Sequence, residues 1–336
     1  MTTWIWLGVG IMLFSEAATL AKIEPFWSWN TPICWTGFIL FADAVVYRAR
    51  GDSWIRSNPR EFALLTLASI PLWLIFEFFN LYLDNWYYEG LPENWWLRMF
   101  GYAWSFGTIW PAIFEGAELA AVIRESRGSG GSRGSGGSGG SGGSRRSGRS
   151  RGLARRSAKR EGGSGKAVSS SPYLPDLPDL PALLCVAAGA LMLASPFVVP
   201  PSVARYLAAP VWLGFIFLLD PINARLGVER LTRERIINLA WSGLLCGVLW
   251  EFWNFWSRAK WHYTVPIMEH LKIFEMPVPG YLGFPAFAFE CFTMYVFVRA
   301  LVWLAYAGSN GHPADRLRRG FGAREAGPHS MRAIAL

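Results

Sequence analysis

Four glutamates on long apolar stretches are the residues best placed to do chemistry: Glu77, Glu115, Glu251 and Glu290. Glu77 is followed three residues on by Asn80, and Glu251 by Asn254, which sets a carboxyl and an amide on one helical face a turn apart. Trp86 and Tyr88 follow the first pair, and Trp261 and Tyr263 follow the second. Glu115 comes after Pro111 and Glu290 after Pro285, and each stands nine residues before an arginine, Arg124 or Arg299. A carboxylate in hydrocarbon costs about 2.5–3.5 kcal/mol on insertion scales, so it faces a bundle interior or a wet cavity. Exclusion of water favours the neutral acid, which can donate a proton. Glu115 and Glu290 are therefore candidate acid/base groups and Glu77 and Glu251 candidate charge relays, with Asn80 and Asn254 as orienting amides. Trp86, Tyr88, Trp261 and Tyr263 are candidate substrate contacts. The plainer alternatives are interhelical hydrogen bonding by the glutamates, helix capping by the Glu–Asn pairs, and interfacial anchoring by the aromatics.

These motifs occur twice. WLIFEFFNLYLDNWYYEGLP in the first half answers GVLWEFWNFWSRAKWHYTVP in the second, and GYAWSFGTIWPAIFEGAELAAVIR answers GYLGFPAFAFECFTMYVFVR. FADAVVYRARG and LLDPINARLG add the pair Asp43 and Asp220, read as partners in local ion pairs with Arg48, Arg50 and Arg225. Agreement at polar positions within one chain indicates an internal repeat.

The elements that position these residues are apolar helices. Hydrophobic residues make up 52% of the 336, aromatic residues 16% and charged residues 17%, too apolar for an ordinary soluble domain. A span needs about 20 mostly apolar residues, and eight stretches come near that: 3–20, 33–47, 61–81, 102–123, 181–199, 206–219, 236–256 and 281–306. The expected fold is an all-α, multi-pass transmembrane helical bundle of about eight spans in two parallel four-span repeats, residues 1–126 and 172–308. Between them, residues 127–171 form an expected disordered Gly/Ser/Arg-rich linker, and 309–336 a basic cytoplasmic tail.

Twenty-five of the 32 basic residues fall in the even connections and the tail. The positive-inside rule then puts both termini on the cytoplasmic side of a bacterial-type inner (plasma) membrane. The first apolar stretch has no basic leader and is read as a retained span. The net charge of +8 is thereby accounted for by topology, and no specific nucleic-acid partner is expected. Helix Glu61–Glu77 is about 24 Å long at 1.5 Å per residue, which sets Glu77, and likewise Glu251, near the outer surface, with Glu115 and Glu290 near the midplane.

Four scattered cysteines and four histidines make no CxxC, HExxH or His-rich box, and no P-loop, dinucleotide fingerprint or nucleophile elbow is present. No metal site and no cofactor is expected; His262 is the one histidine beside the motifs, and its counterpart is Tyr87.

The order aromatic-acid (Phe76-Glu77, Trp250-Glu251), W-x-Y (Trp86 to Tyr88, Trp261 to Tyr263), then Pro followed by Glu (Pro111 to Glu115, Pro285 to Glu290) resembles the integral-membrane lycopene cyclase domain family. That family has Trp-Asp where this chain has Phe-Glu or Trp-Glu, and two adjacent glutamates where this chain has one. The resemblance covers about forty residues of each half. It implies a tandem multi-span repeat and acid-initiated cyclisation of a polyene end group, a step of carotenoid biosynthesis. The functional expectation is an isoprenoid-modifying or lipid-modifying enzyme whose partners are the bilayer and an apolar substrate. The alternatives are a proton-coupled carrier of a small or lipidic substrate and a non-catalytic membrane scaffold.

Overall fold

The computed structural model describes residues 2–131 and 180–307. Residues 127–131 of the expected linker continue a helix; its remainder and the tail 309–336 lie outside the described residues.

Long helices dominate. In chain order they are α1 (Thr2–Leu20), α2 (Phe26–Arg50), the single turn α3 (Trp54–Ser57), α4 (Pro59–Leu83), α5 (Trp95–Gly131), α6 (Leu180–Val198), the single turn α7 (Pro201–Ala204), α8 (Ala208–Arg225), α9 (Arg233–Trp256) and α10 (Gly283–Ala307). Local chemistry sets several ends. Pro59 opens α4 where its missing N–H costs nothing. The Thr232 hydroxyl accepts the Arg235 N–H to cap α9. Gly51, at φ 74°, returns its N–H to Tyr47 and stops α2. The expected second span began at 33, but α2 starts at Phe26 and absorbs Pro32 by leaving helical geometry at Trp29. The described residues are mostly helical, as expected, and among them two short antiparallel ladders sit between helices: β1 (Trp86–Glu89) with β2 (Lys260–Tyr263), and β3 (Lys272–Ile273) with β4 (Met276–Pro277).

Among the described residues seven helices are long and apolar enough to cross a membrane: α1, α2, α4, α5, α6, α9 and α10, the last with the 3₁₀ turn Val278–Leu282 before it. The bundle is also apolar outward. Trp6, Leu13, Leu67, Leu81 and Leu191 are at least 66% exposed, whereas Asn30, Ser69, Glu115, Ser242, Glu251, Asn254 and Glu290 are sealed inside. A surface of that character belongs in hydrocarbon, where polar groups find partners only within the bundle.

Helices α1 and α2 meet at glycines: a Cβ on Gly8 would come within 2.5 Å of the Gly37 carbonyl. Helices α6 and α8 meet similarly, with a Cβ on Gly189 falling 2.7 Å from the Gly214 carbonyl. Such contacts let backbones approach where hydrophobic burial supplies no drive. Helix α5 packs on α2, α4 and α9, and α10 on α8 and α9. The Trp110 indole N–H donates to the Cys291 carbonyl at 2.8 Å and ties α5 to α10.

The two ends of the bundle differ. One carries an alternating chain of charges: Arg50 with Glu118 (2.5 Å), Glu118 with Arg235 (3.4 Å), Arg235 with Glu229 (3.2 Å), Glu229 with Arg299 (2.7 Å) and Arg299 with Glu61 (3.1 Å). The other carries β1 and β2 and backbone ties such as Arg258 N–H to Trp27 O and Thr264 N–H to Asn85 O, both 2.8 Å.

Candidate functional site

At the strand end, β1 and β2 pair so that each W-x-Y tryptophan lies opposite the other motif's tyrosine, Trp86 against Tyr263 and Tyr88 against Trp261. Tyr87 and His262 form the middle pair, their rings stacked with centroids 5.4 Å apart. The two W-x-Y motifs, from separate halves of the sequence, are thus one ladder.

Each strand is fastened to the helix before it by an asparagine. Asn80 donates to the Trp86 carbonyl at 2.8 Å and accepts the Trp86 N–H at 3.3 Å; Asn254 donates to the Trp261 carbonyl at 2.9 Å and accepts the Trp261 N–H at 3.0 Å. The asparagines hold the tryptophan backbones, and the group that meets each upper glutamate is a tyrosine. Tyr88 donates to Glu77 at 2.5 Å and Tyr263 to Glu251 at 2.9 Å. Burial, and after it the neighbouring carboxyl, pushes both phenols well above their ordinary range, so they stay protonated as donors.

Glu77 also accepts the Trp73 indole at 2.7 Å and the Trp86 indole at 3.4 Å. Glu251 accepts only the phenol at this oxygen; the Trp261 indole bonds instead to the Tyr263 hydroxyl at 2.9 Å. The second Glu251 oxygen is buried with no hydrogen-bond partner among the described residues.

Two cavities open beside these dyads. The first, a recess of about 940 Å³ counting the space at its open mouth, lies between α2, α5 and the strands, with Trp35, Tyr102, Phe106 and Tyr88 in its wall. The second, about 1370 Å³ counted the same way, lies against α8 and α10 with Leu213, Phe284 and Phe287. Trp73, Trp86, Trp212, Trp250 and Tyr263 line both, so the cavities share an aromatic partition. Within it Trp73 and Trp250 have centroids 5.8 Å apart, and Phe287 sits 5.8 Å from Trp73 and 5.2 Å from Trp212. Trp35 meets Trp250 at 5.8 Å, and Trp212 stacks on Phe76 at 5.2 Å.

Glu115 and Glu290 are fully buried on α5 and α10 and line neither cavity. The structure therefore groups Glu77, Glu251, Asn80, Asn254, Trp86, Tyr88, Trp261 and Tyr263 at the strand end, and leaves the two lower glutamates out of that group. Asp43 and Asp220 turn out to be backbone acceptors. Asp43 takes the Ile55 N–H at 2.9 Å and Asp220 the Leu231 N–H at 2.8 Å. Asp43 has Arg56 at 3.7 Å as its cation, in place of Arg48 or Arg50. His262 contacts Glu275 at 2.9 Å and Glu89 at 2.6 Å. Glu275, hydrogen-bonded by Lys260 and His262, is held below the usual carboxylate range in spite of its burial. Among the described residues no group of three or more His, Cys, Asp or Glu is arranged to hold a metal ion.

The sequence reading passed over Trp35 and Trp212. Their separation equals that of Asp43 and Asp220, a signal that could have found them. It also passed over Arg98 at the rim of the first cavity. Comparison with protein-family models, with curated proteins and with solved structures gave no match.

Proposed function

We propose that this chain is a multi-pass membrane enzyme that binds an apolar isoprenoid or related lipid in the paired aromatic cavities and acts on it by proton transfer through a Glu–Tyr dyad. The observation that carries this reading is Tyr263, which lines both cavities while its hydroxyl bonds to the buried Glu251. A relay of this kind is balanced in both directions. With Glu251 neutral, its O–H donates to the phenol oxygen and the Tyr263 hydroxyl turns its own proton to the cavity; the phenol then gives that proton to the substrate as Glu251 replaces it and becomes a carboxylate, and the reverse shift removes a proton from the substrate. Indole faces around the reacting centre would stabilise a carbocation by cation–π attraction. In this reading Glu77–Tyr88 is the corresponding pair of the first half, and Glu115 and Glu290 are sealed away from the cavities. Acid chemistry on a polyene agrees with the lycopene cyclase resemblance. The described cavity linings contain no carboxylate, which favours an apolar ligand over a proton-coupled carrier.

The same reading includes two parallel four-helix repeats, α1–α2–α4–α5 and α6–α8–α9–α10, with α8 as an eighth span. It is supported by the matched glycine contacts, the matched asparagine clasps and the reciprocal strand register. At 18 residues α8 is about 27 Å long. The charged end is the cytoplasmic one by the positive-inside rule, in a bacterial-type inner membrane.

The test is mass spectrometry of lipids co-extracted with the wild-type protein and with Glu251→Gln in mild detergent. The expected result is an isoprenoid or polyene enriched in both, altered in structure only with the wild type. Bulk phospholipid alone in both samples would overturn the assignment.

A further inference from the structure

The two cavities differ in charge at the rim. The second is lined by apolar and neutral residues throughout, its polar members being Asn85, Tyr206 and Tyr263. The first has two cations in its lining, Arg98 and Lys260, together with the hydroxyl residues Ser28, Thr31 and Ser105. Lys260 is matched by Glu275 at 3.1 Å. Arg98 has no such match: its Nε donates to the Pro92 carbonyl at 3.0 Å, and the described residues put no carboxylate within ion-pairing distance of its guanidinium. It stands half-buried in the first turn of α5, after Asn94, whose side-chain oxygen caps the Trp96 and Leu97 N–H groups. The positive end of a long helix dipole is therefore added to its charge.

An arginine tied at Nε by a backbone carbonyl presents its remaining N–H groups in a fixed plane, the geometry that grips an oxyanion with two parallel hydrogen bonds. Below it lies a recess walled by Trp35, Tyr102 and Phe106, an apolar surface suited to hydrocarbon. We infer that the first cavity takes a lipid with an oxyanion head, a phosphate monoester or carboxylate held by Arg98, and that the second takes uncharged hydrocarbon. This rests on the proposed reading of the cavities as an apolar-ligand site and adds the head group to it.

The probes are farnesyl phosphate, farnesol and inorganic phosphate, titrated calorimetrically into the full chain in phosphatidylcholine nanodiscs with empty discs subtracted. In the wild type farnesyl phosphate is expected to bind at least tenfold more tightly than farnesol, with the advantage shrinking as salt is raised. Arg98→Gln should bring farnesyl phosphate to the farnesol level while leaving farnesol unchanged, which also certifies the fold. Arg98→Lys should recover part of the difference, since the charge survives and the fork does not. Equal binding of farnesyl phosphate by wild type and Arg98→Gln would overturn the inference and assign Arg98 to the surrounding headgroup layer. Displacement by millimolar inorganic phosphate would overturn the lipid occupant in favour of the free anion. Farnesol binding with no gain from the phosphate sinks this inference alone; no binding of either isoprenoid sinks the proposed function with it.

Discussion

The dyads Glu77–Tyr88 and Glu251–Tyr263 are built from the same parts and are not equivalent. Glu77 has three donors on one oxygen and is half-buried; Glu251 has one donor there, none on its other oxygen, and is sealed. The difference traces to one position. Trp73 sits a turn before Glu77 and caps it with an indole, whereas the residue a turn before Glu251 is Gly247. A Cβ there would fall 2.2 Å from the Phe284 ring, which fills the space instead. A saturated carboxyl is a structural anchor, and an under-coordinated one in a dry site is available for proton transfer. The two dyads share their parts, and the Trp/Gly exchange accounts for their different coordination.

The largest expected effect separates them. Glu251→Gln should lower turnover of the co-extracted lipid by about 10²–10⁴-fold, the usual contribution of a positioned acid or base, while Glu77→Gln should cost less than tenfold. Equal losses, read by mass spectrometry of substrate and product, would erase the distinction.

The asparagine clasps should behave similarly. Asn80→Ala abolishes three bonds to backbone, two to Trp86 and one to Asn85, and Asn254→Ala two to Trp261; each should destabilise by about 1–3 kcal/mol, with Asn80→Ala the larger, read as thermal unfolding in detergent. A larger loss at Asn254→Ala would mean that the two strands are not held the same way.

Glycine packing sharpens the comparison at smaller scale. Alanine at Gly8 or Gly189 meets backbone atoms within 2.5 Å and should cost about 1–3 kcal/mol. At Gly214 the nearest obstacles are the side-chain atoms of Leu193, 2.7 Å away, and a leucine can turn aside; the loss there should stay below about 1 kcal/mol.

The smallest effect concerns Glu275, which has no counterpart on the β1 side. Its carboxyl is held below the usual range, so its pairing with Lys260 and His262 stabilises the fold above the ordinary carboxylate pKa of about 4.3 and is lost as pH falls through the lowered value. Glu275→Gln should therefore lose up to about 1 kcal/mol at pH 7. The gap from wild type should close on acidification; a gap that widens in acid would reverse the sign of the assigned interaction.

Apolar length and polar punctuation made the helices legible in the sequence, because an 18-residue apolar run in a membrane has few alternatives to a helix. Helix starts were less legible. Phe26-Trp27-Ser28-Trp29 reads as an interfacial belt, yet it forms the first turn of α2, joined to the rest across the kink at Trp29. The ladder was hidden because four-residue aromatic segments in separate halves carry no period of their own. Asn80 and Asn254 were legible as paired with their glutamates by spacing; that their amides turn to the backbone of Trp86 and Trp261 depends on where the chain goes next. Glu115 and Glu290 were readable as buried, but nothing in a linear pattern tells a residue sealed between helices from one facing a cavity.

Every cation in the chain of charges running from Arg50 through Arg235 to Arg299 is an arginine, which keeps its proton at any pH a cell meets. The links join α2, α4, α5, α9 and α10 at one end only. Mechanically that end is a clamped base, insensitive to alkalinity, and the opposite end is closed by a ladder of two four-residue strands. The strand end also has charge pairs, Arg258 with Glu24 and Lys260 with Glu275, but these are local ties beside the ladder, so the two ends of the bundle are closed by different kinds of bond.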